Sequence, residues 1–422
     1  MKRLFIGYGE RIITPFTGIE LSGYGLYLKR QATSINDDLK VRALSISNKR
    51  ERVILISCDL MGFDVQFSYE IREEISKELN VPISNILLSC IHTHTCPATM
   101  DLRGFGEINE NYLRKLKLFI KECAKSSLDS ESEGEIYAGF EIIEPIGFNR
   151  RNRSFHPIDP LLKVGIFKRK KEKIYLVSYA CHPVILGKAN FISADWPGCV
   201  IRKIEEDGNY GIFFQGFCGD IDPVTNLNRW GNGTLEDIEI YGELVKNRIL
   251  KVEEYAAPVG LDIKCFEEKI FLPLVIPEKR EIKLAKEKWE ERINKVSSPG
   301  SKKFLDDWVS KATEKYEELK RNPYVGFLIH AISIGKLKII GLSGEIFCEY
   351  DLNLRKNFTN LFTFGYTNGD VGYIPTGDAY KIKDDYACYV TPKAYPVLFP
   401  FSPEIESIIL KKSKEMLEKI KI

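Results

Sequence analysis

The chain has 422 residues, 44% of them hydrophobic, and a formal net charge of +2. This length allows a large buried core and favours two domains or one large one. This near-neutral charge lacks the excess of positive charge that is typical of proteins that bind nucleic acid or an anionic membrane surface. We therefore expect a protein that acts on a small molecule and binds neither nucleic acid nor membrane, with a homo-oligomer left open.

The amino terminus and the cysteines predict a cytoplasmic protein. The opening "MKRLFIGYGERIITP" has two basic residues but only a short apolar stretch and no small-residue cleavage site, so we do not expect a signal peptide. No apolar run approaches the roughly 20 residues that a membrane span needs. The ten cysteines form no Cys-x-x-Cys pair and lie mostly among apolar residues, which indicates reduced, buried thiols.

Short strands alternate with amphipathic helices along the first part of the chain. Strands are predicted in "RALSIS", "RVILISCDL", "NILLSC", "GEIYAGFEIIEPIGFNR", "LKVGIFKR", "KIYLVSYACHP" and "YGIFFQGFCGD". Helices are predicted in "QFSYEIREEISKEL", "NENYLRKLKLFIKECAKSSL" and "GCVIRKIEED". The alternation predicts an α/β fold of mixed β-sheets flanked by helices, with residues 1–422 forming a single catalytic domain.

From Pro277 to about Tyr324 the pattern changes to highly charged helix, broken at "SSPGS". This predicts a helical hairpin inserted into the fold at about 277–324. The α/β pattern resumes with "LIHAISIGKLKIIGLSGEIF" and continues to a closing helix in "PEIESIILKKSKEMLEKI".

Two of the chain's five histidines, His92 and His94, directly follow a buried strand in "LLSCIHTHTCPAT". In open α/β sheets ligands bind beyond the carboxyl ends of the strands. Residues two apart on an extended segment point to the same side, so both imidazoles can face one ion or one substrate. The alternative is a structural, half-buried pair, because His-x-His is short enough to arise by chance.

Polar residues follow four further strands in the same way. His182 follows "YLVSYAC", with Asp195 opening the next helix, and Asp220 ends "GIFFQGFCGD". Glu345 follows "LKIIGLSG", and Tyr373 follows the strand and polar loop of "LFTFGYTNGDVG". Five strand ends with polar residues predict one shared crevice.

The same motifs, taken in order, resemble those of the neutral/alkaline non-lysosomal ceramidase family. They are H-x-H-x-x-P, "CHP" with "ISADWPG", "QGFCGDIDP", "SGE" and "TNGDVGYIPT", and the match spans nearly the whole chain. The resemblance implies a zinc hydrolase in which four residues bind Zn²⁺: His92, His182, Glu345 and Tyr373. It also implies a catalytic role for Tyr373. It further implies that His94 contacts substrate or moves a proton, and that Asn149 and Arg150 of "FNRRNR" bind substrate.

Zinc chemistry agrees with this set of residues. Zinc binds imidazole and carboxylate well, and a catalytic zinc keeps a position open for water, which becomes a nucleophile near neutral pH. Asp195 and Asp220 are candidates to fix a histidine tautomer or to bind substrate. Equally open are a helix cap for Asp195 and a turn residue for Asp220.

Two departures from the family pattern bear on the substrate. "HTHTCP" replaces the usual H-T-H-S-G-P, and Asp222 stands where the family has a serine considered as a nucleophile. A serine mechanism is therefore excluded at this position, and we expect Asp222 only to shape the turn. Ceramidases proper carry an extra carboxyl-terminal β-domain for which we find no counterpart, so ceramide is a poor substrate prediction.

We therefore expect a zinc-dependent hydrolase acting on the carbonyl group of a small polar compound. A cyclic ketone or lactone from inositol or sugar catabolism is the specific expectation. One alternative is an amidohydrolase that cleaves an N-acyl amide, and the other is a non-catalytic metal-binding protein.

Overall fold

The predicted α/β fold is confirmed by a computed structural model, which describes residues 4–293 and 299–421. Within these ranges the strands are β1 (Leu4–Ile12), β2 (Ser34–Ile35), β3 (Lys40–Ser47), β4 (Arg52–Cys58), β5 (Ile86–Cys90), β6 (Ser132–Ile142), β7 (Gly147–Asn149), β8 (Leu161–Arg169), β9 (Lys173–Tyr179), β10 (Phe191–Ile192), β11 (Tyr210–Gln215), β12 (Ile221–Pro223), β13 (Ala257–Pro258), β14 (Ile263–Pro273), β15 (Tyr324–Ile334), β16 (Leu337–Leu342), β17 (Glu345–Ile346), β18 (Leu361–Phe364) and β19 (Tyr373–Ile374). The helices are α1 (Val65–Leu79), α2 (Glu110–Asp129), α3 (Asp195–Glu205), α4 (Leu235–Tyr255), α5 (Lys279–Ile293), α6 (Pro299–Arg321), α7 (Cys348–Arg355) and α8 (Ile405–Lys419).

Two mixed sheets form the centre of the fold. The larger sheet has the strand order β11-β9-β8-β6-β1-β3-β4-β5, and β13 also pairs with β6. Its outer pairs, β4 with β5 and β9 with β11, run parallel, whereas the strands between them are antiparallel. The smaller sheet has the order β14-β15-β16-β18, in which only β16 and β18 run parallel.

Alternating side chains of the larger sheet enter two separate cores. On β4, Val53 and Leu55 join the core between the two sheets, together with Phe362 of the smaller sheet. Ile54 and Ile56 point the other way, into the core beneath helices α1 to α4. A strand buried on both faces needs apolar side chains at every position, because each gains about 1.5–3 kcal/mol on burial. This explains the continuous apolar run in "RVILISC".

The predicted charged helical hairpin is confirmed. Helices α5 and α6 pack against each other and connect β14 to β15, which are adjacent antiparallel strands. Trp308 of α6 donates its indole N–H to the carbonyl oxygen of Leu398 at 2.9 Å, which joins the hairpin to the segment that precedes α8. The predicted break at "SSPGS" includes Ser297 and Ser298, which lie outside the described residues.

The larger sheet curls until its two edge strands approach each other. Gln215, fully buried at the end of β11, donates its side-chain N–H groups to the carbonyl oxygens of Ile91 at 3.2 Å and Cys181 at 2.9 Å. These two residues directly precede His92 and His182. One amide side chain therefore ties together the two segments that carry these histidines.

Neither a membrane span nor a disulfide is found in the described part of the chain. None of its helices is both long enough and apolar enough to cross a bilayer. All ten cysteines carry free thiols, and only Cys265 is not fully buried, as the sequence predicted.

Candidate active site

Three of the predicted site residues, His92, His94 and His182, converge at one point. One ring nitrogen from each lies within 4.8 Å of the others. The centroid of the His92 ring lies 4.8 Å from that of the His94 ring and 5.1 Å from that of the His182 ring. Loops that follow β5 and β9 supply these side chains, and Glu345 and Tyr373 bring two more of the five predicted strand ends to the same place.

The backbone at His92 is left-handed, with φ of 71°. Strand β5 ends at Cys90, so His92 and His94 lie on a turn and not on the extended segment that we expected. A positive φ is costly for a residue with a Cβ atom and is often found at functional sites. Two contacts hold the turn: the His92 amide donates to Leu60 O at 2.9 Å, and the Tyr366 ring stacks on the imidazole at 4.0 Å.

Each of the three rings faces a backbone carbonyl with its Nδ1 atom. The distances are 2.8 Å from His92 to Met61 O, 3.1 Å from His94 to Gly23 O, and 3.1 Å from His182 to Ile221 O. A carbonyl oxygen only accepts hydrogen bonds, so Nδ1 carries a proton in each ring, and the neutral forms of His92 and His94 present a lone pair on Nε2. His182 Nε2 lies in hydrogen-bond contact with the Glu345 carboxylate at 3.3 Å.

The Nε2 atoms of His92 and His94 are buried and have no hydrogen-bond partner in the described part of the chain. Leaving a buried polar atom unpaired costs about 1–3 kcal/mol. A metal ion would satisfy these lone pairs, and the carbonyls behind the rings are the supports that metal-binding histidines usually have.

Glu345 completes this set of donor atoms. Its Oε2 lies 3.4 Å from His92 Nε2 and 3.3 Å from His182 Nε2. Ligand atoms bound at 2.0–2.2 Å to a tetrahedral zinc ion are about 3.4 Å apart, so the spacing fits. Burial opposes ionisation of the carboxyl group, but His92 and His182 outweigh it and hold the pKa of Glu345 well below its usual range. The Tyr395 hydroxyl donates to the other oxygen, Oε1.

Tyr373 lies next to Glu345, because β17 and β19 pair these two residues directly. The Arg150 guanidinium donates through Nη2 to the Tyr373 hydroxyl at 2.6 Å and lies 5.3 Å above the Tyr373 ring. Arg150 also donates through Nη1 to Asp222 Oδ1 at 3.2 Å. The expectation that Asp222 only shapes a turn is therefore corrected: its carboxylate is the ionic partner of Arg150.

The other predicted residues contact the backbone around the site. Asn149 donates to Asp220 Oδ2 at 2.7 Å, and Asp220 Oδ1 accepts the Cys348 amide at 2.8 Å, at the start of α7. Asp195 accepts three amides, the closest that of Trp196 at 2.8 Å, and lines a separate cavity. Asp195 and Asp220, which were candidates to fix a histidine tautomer, thus accept hydrogen bonds from backbone amides. Backbone carbonyl oxygens accept the hydrogen bonds from the imidazole rings instead.

A cleft of about 550 Å³ opens onto the site at His94. Arg150 and Tyr373 also line it. The remaining lining residues are aromatic, charged or small: Gly23, Arg151, Val184, Gly219, Asp222, Trp230, Phe347, Ile382, Lys383, Asp384, Asp385, Tyr386 and Ala387. A cleft of this size is typical of a site for a small molecule.

Three residues at the site were not predicted. Tyr366 stacks on His92, Tyr395 bonds Glu345, and Gln215 joins the two histidine segments. Tyr366 and Gln215 lie within the motifs "GYTNGD" and "FFQGFCGD", but an aromatic or an amide beside a strand is usually structural. Only the fold brings Tyr395 to Glu345.

Comparisons with known proteins bear on the fold. No protein-family model matches the chain, and no curated protein matches it. A neutral ceramidase from Pseudomonas aeruginosa superposes with a TM-score of 0.78 at 13% identity, covering 100% of this chain and 76% of that one. A ceramidase complexed with C2 gives a TM-score of 0.78 at 13% identity, with coverages of 99% and 75%. The resemblance seen in the motifs is therefore confirmed for the fold, and the chain has the fold of the neutral ceramidases.

Proposed function

We propose that the chain is a zinc-dependent hydrolase that acts on the carbonyl group of a small polar compound. The observation that carries this proposal is the convergence of imidazole Nε2 atoms on the Glu345 carboxylate, with every Nδ1 committed to a carbonyl. The fold shared with proteins named ceramidases supports hydrolysis as the reaction class.

The proposed zinc ligands are His92, His182, Glu345 and Tyr373. Glu345 Oε2 lies from Nε2 of His92 and of His182 at the distances expected between ligands of a tetrahedral zinc ion. When bound, zinc polarises a carbonyl group and lowers the pKa of a water molecule. Tyr373 is the less usual ligand: burial raises the pKa of its hydroxyl well above the usual value, and the Arg150 guanidinium beside it offsets only part of this rise.

His94 is the proposed proton carrier. It lines the cleft, its Nδ1–H is held by Gly23 O, and its Nε2 is free to accept a proton. Burial, with His92 and His182 nearby, lowers the pKa of His94 well below its usual value, so the ring gives up readily any proton that it accepts. Arg150 orients Tyr373, and the aromatic residues at the mouth, Trp230 and Tyr386, exclude water from a bound substrate.

Two substrate classes fit this chemistry. A cyclic ketone or lactone derived from inositol or another sugar is our specific proposal, because a cleft of about 550 Å³ accepts a small ring. An N-acyl amide is the second candidate, favoured by the names of the proteins that share the fold.

Metal analysis and a substrate panel test the proposal. Purified protein is assayed for zinc by mass spectrometry and then for turnover of sugar lactones, keto-inositols, short N-acyl amides and N-acylsphingosine. We expect one zinc per chain, turnover of at least one class, and loss of both zinc and turnover in His182→Ala. Zinc-free protein, or zinc-loaded protein inert on the whole panel, would contradict the proposal.

A further inference from the structure

Two arginines line the cleft, and each is paired with a carboxylate. Arg150 Nη1 lies 3.2 Å from Asp222 Oδ1, and Arg151 Nε lies 3.1 Å from Asp385 Oδ2. The carboxylate side chains are only 3% and 6% exposed. Both pairs are therefore largely removed from water, where charges interact much more strongly than at a surface.

Asp222 is the charged partner of Arg150. The guanidinium also contacts Gly219 O at 2.7 Å and the Tyr373 hydroxyl at 2.6 Å, neither of which is a carboxylate. The serine that this position has in the resembling motif would leave the charge of Arg150 without that carboxylate. The departure from the motif thus changes the charge of the cleft by one unit beside Tyr373.

We propose that Asp222 sets the charge selectivity of the cleft, so that it accepts uncharged acyl compounds and rejects those that carry a carboxylate or phosphate near the scissile carbonyl. This inference rests on the proposed hydrolase function. An anion close enough to contact Arg150 also lies close to the Asp222 carboxylate and is repelled by it. An uncharged carbonyl compound meets no such repulsion and still accepts hydrogen bonds from the guanidinium.

The rest of the lining agrees with an uncharged occupant. Trp230, Phe347 and Tyr386 supply aromatic surface, and the Arg151 guanidinium lies 4.9 Å above the Phe347 ring while it pairs with Asp385. The half-buried Arg151 is thus also neutralised and packed. Lys383, which lines the same cleft, is exposed to solvent that screens its charge.

Calorimetric binding of two probes of the same shape tests the proposal without turnover. The probes are phenylacetamide, which is uncharged, and phenylacetate, which is an anion. Zinc-loaded wild-type protein should bind phenylacetamide at least about 10-fold more tightly than phenylacetate, because a charge repulsion of this kind lowers affinity by about 10- to 100-fold. Repeating the measurement in His182→Ala removes direct binding of the carboxylate to zinc.

Variants at Asp222 should invert this preference. In D222N and D222S we expect phenylacetate affinity to rise by about 10- to 100-fold, with phenylacetamide affinity changed less than about 3-fold. D384N is the matched control: it changes the net charge equally at an exposed position of the same cleft, where solvent screens the effect. Melting curves establish that each variant is folded.

Several outcomes would overturn the inference. They are equal or tighter binding of phenylacetate than of phenylacetamide by His182→Ala, no measurable binding of either probe, or equal effects of D222N and D384N on phenylacetate. A charge preference measured in protein that hydrolyses nothing would leave Asp222 as the selector and refute only the proposed hydrolase function.

Discussion

Replacing Gln215 with leucine should weaken zinc binding although Gln215 is not a proposed ligand. The side chain is fully buried and donates to the carbonyls of Ile91 and Cys181, which directly precede His92 and His182. Leucine is close in size to glutamine but offers no donor. Both carbonyls would then be buried without these hydrogen bonds, and the two histidine segments would lose the group that joins them.

The magnitude follows from the two lost hydrogen bonds. A buried carbonyl left unpaired costs about 1–3 kcal/mol, which gives about 2–6 kcal/mol for Ile91 and Cys181 together. Gln215 Oε1 has no hydrogen-bond partner in the described part of the chain, so removing it recovers part of this cost. We expect the free energy of unfolding to fall by about 2–4 kcal/mol, and zinc affinity to fall by about 10- to 100-fold, as for other residues that support a ligand.

Urea denaturation of the zinc-free protein and zinc competition against a chromophoric chelator measure the two effects. Gln66→Leu is the control, because Gln66 is exposed on α1 and bonds only Glu70 among the described residues, at 3.0 Å. Its stability should stay within about 0.5 kcal/mol of wild type. A Gln215→Leu protein that is destabilised but binds zinc normally would refute the idea that this side chain positions the histidines.

Three further predictions concern four of the histidines. His92→Ala and His182→Ala should each lose zinc and turnover but keep a native circular dichroism spectrum, because a core of this size does not depend on the ion for folding. His94→Ala should keep its zinc while kcat falls by about 10²- to 10⁴-fold on whichever substrate the panel identifies, and loss of zinc would instead make it a ligand. Burial, with Arg72 nearby, lowers the pKa of His330 to about 3. In the unfolded chain this histidine has a pKa of about 6.5, so as the pH falls below that value only the unfolded chain takes up the proton. The free energy of unfolding should therefore decrease by about 2 kcal/mol when the pH is lowered from 7.5 to 5. His330→Asn should lack this component in urea titrations at the two pH values.

Much of the secondary structure could be predicted because local pattern and burial agree. Strand β4 reads as an apolar run because it is buried on both faces, and α1 and α2 show the periodicity of helices with one buried face. Helix α4 was not predicted, although Thr234 and Asp237 form a capping box at its start. Helix α3 begins at Asp195, the residue predicted to open it, and Pro197 is tolerated because it lies in the first helical turn.

The site residues could be nominated from sequence, but their arrangement could not. Histidines and carboxylates at strand ends point to a crevice because strand ends converge in α/β sheets. The partners of the imidazole N–H groups are backbone carbonyls of Gly23, Met61 and Ile221, and a main-chain acceptor has no signature in the side-chain pattern. The left-handed turn at His92 also escapes prediction, because a positive φ is uncommon for every residue except glycine, although histidine adopts it more often than most.

The curl of the larger sheet also bears on how copies of this chain could associate. An open sheet exposes unpaired N–H and C=O groups along its edge strands and so invites strand addition by another copy. Here Asn368 exchanges hydrogen bonds with Leu88 of β5, at 2.6 and 3.0 Å, and Gly365 donates to Gln215 O of β11 at 3.0 Å. One short segment therefore occupies hydrogen-bonding positions on both edge strands. A second copy that added a strand to either edge of the larger sheet at these positions would have to displace this segment, so the bend that assembles the histidines also blocks part of both edges.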